Sequence, residues 1–168
     1  MKKQMESSIK NYVPLVVIIS MIAIATIVLA VARLLAGEFS WTVAMANFMA
    51  GFFLVFSGFK LLDIKGFAQG YAMYDLLAMR WKPYAYIYPF IELLLGLCYL
   101  VHFMPPGITI STLIVMVFSG IGVAIKLAKH EKFHCACLGT VLQVPLTNIT
   151  LIEDFGMAFM ALCMLVYR

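Results

Sequence analysis

Apolar residues gather in five long runs, at 12–36, 41–62, 83–103, 108–127 and 148–167, separated by short polar stretches. A helix needs about 20 apolar residues to cross the hydrocarbon core, and each run meets or approaches that length. Charges inside the runs are few. Arg33 comes only at the end of the first, Lys60 near the end of the second, Glu92 in the middle of the third, and Glu153 with Asp154 in the early turns of the fifth. Lipid offers no partner to a free backbone N–H or C=O, so each run is expected to be a helix rather than an open strand. The ten-residue alternation of a membrane barrel is absent. The pattern predicts an all-α, polytopic membrane helix bundle, with residues 1–168 forming a single domain.

Between the second and third runs, residues 63–82 are too polar to span. Phe67, Tyr71, Tyr74, Leu77 and Trp81 recur there at spacings of three and four. That spacing predicts an interfacial amphipathic connector whose aromatics anchor it in the headgroup layer. Pro105-Pro106-Gly107 marks a tight turn between the third and fourth runs.

Composition sharpens the picture. Hydrophobic residues make up 64% of the chain and charged residues 12%, with a mean hydropathy of +1.01. A soluble domain carries roughly a quarter charged residues, so too few are present to coat a globule. This excludes a nucleic-acid binder, a secreted disulfide scaffold and a disordered hub. The formal charge of +4 reads as loop lysines. With the N-terminus inside, Lys2, Lys3, Lys10, Lys60, Lys65, Arg80, Lys82, Lys126, Lys129 and Lys132 all fall on the cytoplasmic side, against Arg33 and Arg168 outside. That bias follows the positive-inside rule and puts the loop after the fourth run in the cytoplasm. The first run is expected to be a retained anchor. Ala30-Val31-Ala32 resembles a signal-peptidase site, but the apolar run before it is longer than a signal core.

The loop after the fourth run holds the sharpest chemical feature, His134-Cys135-Ala136-Cys137, entered through Lys129-His130-Glu131-Lys132. Two thiols one residue apart can close a strained, easily reduced disulfide suited to exchange. They can equally present two soft thiolates to an ion such as Cu(I) or mercury, with His134 as a further ligand. Nearby Lys132, His130 and His134 favour the thiolate. A tight loop of unreactive cysteines is the plain alternative. Glu92, inside a run, must face the bundle and find a donor, with Lys60 and Arg33 the nearest bases by depth. Glu153 and Asp154 point about 100° apart on a helix, so both cannot face one partner. Met157, Met160 and Met164 form a stripe that reads as packing. Cys98 and Cys163 read as inert buried thiols, and Gly51 with Gly58 as a face for close helix approach.

Several short segments, in this order, resemble the DoxX/MauE group of small membrane proteins. They are Gly51-Phe52-Phe53-Leu54-Val55-Phe56-Ser57-Gly58-Phe59-Lys60-Leu61, Tyr74-Asp75-Leu76-Leu77, Pro89-Phe90-Ile91-Glu92-Leu93-Leu94-Leu95-Gly96 and Cys135-Ala136-Cys137-Leu138-Gly139. The resemblance implies a four-helix core, here with an extra N-terminal transmembrane helix, in the bacterial inner (plasma) membrane. It implies a redox role: MauE proteins are linked to maturing a disulfide-rich amine dehydrogenase subunit, and DoxX relatives to sulfur oxidation coupled to quinone. By position, Lys60 matches the family's basic residue, Glu92 its intramembrane acid, and Cys135 with Cys137 its C-G-C-F-G loop, which here has Ala136 and Leu138 in place of Gly and Phe. The functional expectation is a thiol–disulfide relay carried by Cys135 and Cys137, with His134 or Glu153 managing the proton and Glu92 and Lys60 holding a polar centre. The alternatives are soft-metal binding by Cys135, Cys137 and His134, and a non-catalytic scaffold. The expected partners are the lipid bilayer, a redox or metal-delivery protein and a second copy of the chain; quinone or Cu(I) is the expected small-molecule partner.

Overall fold

The computed structural model describes residues 2–103, 105–129, 134–135, 144–145 and 148–167, with side chains over 13–103, 105–129 and 151–167. The chain is an all-α polytopic helix bundle of seven helices among the described residues: α1 (Lys2–Leu35), α2 (Trp41–Leu62), α3 (Ile64–Tyr71), α4 (Leu76–Arg80), α5 (Lys82–Leu100), α6 (Pro106–Ala128) and α7 (Asn148–Val166). Two short strands, β1 (His134–Cys135) and β2 (Val144–Pro145), pair antiparallel between α6 and α7, with Cys135 opposite Val144. Val13–Leu35 of α1, and α2, α5 and α6, are long and apolar enough to cross a membrane.

Two close helix pairs build the core. α2 lies along α5 and α6 along α7, while α1 packs on the outer side of α2. Small residues set these approaches, as expected where helices must meet without a hydrophobic drive between them. A Cβ added at Gly96 would sit 3.0 Å from Phe53 and Leu54, and one at Gly51 2.9 Å from Ile22 of α1. Gly58 meets nothing within 4 Å, so only Gly51 of the pair on α2 is a contact point. Phe53, Phe56, Met49, Met116 and Met157 fill the interior. Met160 and Met164 join the same cluster, so the thioether stripe of α7 is packing.

The connector departs from the expected single amphipathic helix. It breaks at residues 72–75 because two aspartates start new helices on either side of the break. The Asp63 carboxylate accepts from Gly66 N at 3.0 Å to cap α3, and Asp75 accepts from Leu77 N and Ala78 N at 3.0 and 2.8 Å to cap α4. The break also turns the aromatics around. Phe67, Tyr71 and Tyr74 are buried against the bundle, and only Leu77 and Trp81 of the predicted anchor face remain outside. Asp75 further accepts the Tyr71 hydroxyl at 2.9 Å, tying α3 to α4. Asp75→Ala is therefore expected to cost about 1 kcal/mol for the lost cap, read as a lowered melting temperature in detergent with the helical signal retained.

Candidate functional site

Lys60 sits in the last turn of α2 and Glu92 in the middle of α5, 32 positions apart in sequence. The antiparallel packing of the two helices brings them together, and the long lysine stem lets the ammonium reach inward along an apolar wall. Lys60 Nζ donates to both carboxylate oxygens of Glu92, at 2.6 Å to Oε1 and 2.5 Å to Oε2. Both side chains are buried. Of the two bases at suitable depth, Lys60 and not Arg33 pairs with the acid. The ammonium also lies 5.0 Å from the ring centre of Tyr88 and 5.5 Å from that of Phe67, within cation–π range.

Around the pair lies a small cavity of ≈ 20 Å³ of space for the centre of a water-sized sphere, enough for one water. Its polar lining comes from four elements: Lys60, Glu92, Ser119 of α6, and Glu153 and Asp154 of α7. Asp154, buried, accepts from Ser119 Oγ at 3.0 Å. Gly120 makes this approach close, since a Cβ there would meet Phe155 and Asp154 at 3.3–3.4 Å. Glu153, one 100° step round the helix, also lines the cavity but does not share the Ser119 contact. Its two carboxylate oxygens are buried and have no hydrogen-bond partner among the described residues. Three carboxyl groups and one ammonium thus line a single cavity, which is unusual for a purely structural ion pair.

Aromatics close the cavity on the connector side. Tyr71 lies 4.5 Å from Tyr88 and 5.1 Å from Phe67, ring centre to ring centre. The phenol of Tyr71 is pushed well above its ordinary range, first by burial and then by the nearby Tyr88 and Asp75, so it stays a neutral hydrogen-bond donor.

The thiol segment stands at the same end of the bundle. β1, which carries His134 and Cys135, packs against α3, whose Phe67 and Tyr71 wall the cavity. His134 and Cys135 are described as backbone, and Cys137 lies outside the described residues. The structure therefore brings Lys60, Glu92 and Glu153 into one cavity and sets the Cys135 strand on its wall helix. Among the described residues, no group of three His, Cys, Asp or Glu side chains is placed to hold a metal ion. Cys98 and Cys163 are free and half-buried rather than sealed in the core. Cys163 opens on a pocket with Ser40, Trp41 and Tyr167.

The family model described as methylamine utilisation protein MauE matches residues 38–167, most of the chain. The chain belongs to the MauE family. No curated protein and no solved structure matches it. Within this MauE-type chain the match takes in α2 to α7 and leaves out all of α1. Lys60, Glu92, Asp154 and the Cys135 strand all lie inside it. Ser119 and Tyr88 are site residues that spacing alone did not single out. The one available signal for the α6 contribution was the small-residue run Ser119-Gly120-Ile121-Gly122, which marks a close helix approach.

Proposed function

We propose that this MauE-family protein is a membrane thiol–disulfide relay, with Cys135 and Cys137 as the exchanging pair. The observation that supports the reading is the position of β1: the strand bearing Cys135 packs against α3, the helix whose Phe67 and Tyr71 line the cavity with Lys60, Glu92, Glu153 and Asp154. Exchange needs a thiolate and a place for its proton, and carboxyl groups near the Cys135 strand would supply the second. In the exchange, a thiolate of a partner protein attacks one sulfur of the Cys135–Cys137 disulfide, and the other loop sulfur leaves as thiolate and takes a proton. The second partner thiolate then resolves the mixed disulfide. The partner leaves oxidised and the loop holds two thiols; run backwards, the same steps reduce a partner's disulfide. Glu153, without a hydrogen-bond partner among the described residues, is suited to hold the proton that each loop sulfur gains or loses, with His134 as the second candidate. The family's description supports methylamine utilisation as the context. The lysine bias supports an orientation with the loop in the cytoplasm.

Alkylation mass shifts test the pair. The chain holds four cysteines, of which Cys98 and Cys163 are free. Purified protein equilibrated in an oxidising glutathione buffer is expected to take two labels, and four after reduction. Cys137→Ser is expected to take three labels with or without reductant, once glutathione adducts are excluded by mass. Four labels on the wild-type protein at every buffer potential would remove the relay. An impermeant maleimide applied from each side of intact vesicles reads the orientation.

A further inference from the structure

α1 stands apart from the rest of the bundle. It lies wholly outside the family match, yet it is not a loose anchor. Leu15 and Ile22 are buried, and Ile18 and Ile19 pack on the core, forming a stripe at helical spacing while the other faces remain exposed. The stripe is seated at Gly51, where the Ile22 side chain comes to 2.9 Å from the position of a Cβ. At 34 residues and 1.5 Å per residue α1 is about 50 Å long, well beyond the ~30 Å hydrocarbon core.

Two features of the proposed site depend on α1. A groove of ≈ 310 Å³ runs between α1, α2 and α7, with Ile19 on one wall, Phe48 and Phe52 on another, and Glu153 and Met160 on the third. Glu153 and Phe52 each line both this groove and the inner cavity, and Glu153 is the ionisable one of the two. Without α1 that side of Glu153 would face lipid, where an unpaired carboxyl is costly. Second, α1 touches β2, the strand that pairs with His134–Cys135.

We infer that α1 is a built-in cover for the site: docked at Gly51, it closes the lipid side of Glu153 and braces the hairpin that carries Cys135. Its docking sets how readily a lipid-borne reagent reaches the carboxyl and a water-borne one reaches the thiol. This deepens the relay reading by naming what controls access to the same residues, and it rests on that reading only for its biological meaning.

The test uses the full chain, kept reduced throughout, so the outcome does not depend on whether a disulfide forms. Dicyclohexylcarbodiimide, which is lipid-soluble, labels Glu153, and N-ethylmaleimide labels Cys135; both rates are read by peptide mass spectrometry. Gly51→Leu forces α1 off its seat. Gly58→Leu, on the same helix with nothing within 4 Å, is the matched control. Labelling of both Glu153 and Cys135 is expected to rise at least fivefold in Gly51→Leu and stay at the wild-type rate in Gly58→Leu, with Cys98 and Cys163 unchanged. Ile22→Ala weakens the same seat with a strong helix former, and a rise of about two- to threefold is expected; it decides the matter if Gly51→Leu does not accumulate. Wild-type rates at both residues in Ile22→Ala, or in a folded Gly51→Leu, overturn the inference.

Discussion

Lys60→Met is expected to destabilise the protein by about 3–5 kcal/mol, because it leaves the Glu92 carboxylate buried without its partner. For a chain of this size that corresponds to a melting point lowered by roughly 10 °C, measured by scanning fluorimetry in detergent. The geometry behind the figure is a bidentate pair at 2.5 and 2.6 Å between two buried side chains. Desolvation of both groups has already been incurred in the fold, so losing one partner forfeits the attraction and keeps the cost. The double variant Lys60→Met/Glu92→Leu separates stability from function. Removing both charges together is often neutral or stabilising, so the double variant is expected to melt near the wild type. If the pair serves the relay, this stable variant exchanges disulfides slowly; if it exchanges at the wild-type rate, the pair is structural only. A single Lys60→Met variant that melts with the wild type shows that Glu92 has no dependence on Lys60.

Gly122→Val is the second large effect expected. A Cβ at Gly122 would lie 2.7 Å from the Tyr74 carbonyl oxygen and 3.3 Å from Asp75 Cα, both backbone atoms that no rotamer change can move aside. The turn between α3 and α4 must then retreat from α6, opening the aromatic wall and straining the Asp75 cap. Overpacking of this kind costs about 1–3 kcal/mol, and a β-branched residue against backbone belongs at the upper end. Gly58→Ala is the counterpart: with open space around it, the better helix former is expected to leave the melting point equal or slightly higher. The two glycines look alike in the sequence, and melting curves of the two variants should differ by several degrees. Equal curves would mean that the α6–turn contact is not a fixed part of the fold.

The two aspartates of the connector illustrate how local and tertiary signals divide. Asp63 and Asp75 are good helix caps, and that chemistry is local. The aromatic spacing from Phe67 to Trp81 is also local, but it specifies a face without saying what the face meets. Lipid and an aromatic-lined protein cavity suit the same rings. The break at residues 72–75 decided the matter by turning Phe67, Tyr71 and Tyr74 toward Lys60 and Tyr88.

What the sequence determined by itself was the membrane bundle, because the solvent demands apolar runs of helical length and too few charges remain for a water-facing surface. It also determined which residues must be accounted for: a lone acid in mid-membrane, a basic residue at a helix end, an acid pair in α7 and two close thiols. Only the tertiary structure decided their partners. Lys60 and Glu92 are 32 residues apart, and Ser119 and Asp154 are 35 apart, distances over which periodicity carries no information. Which face of α7 turns inward, and so why Asp154 is satisfied while Glu153 faces the α1 groove, depends on how four helices pack at once. Helical pattern is a property of neighbours along the chain, whereas a buried polar site belongs to neighbours in space.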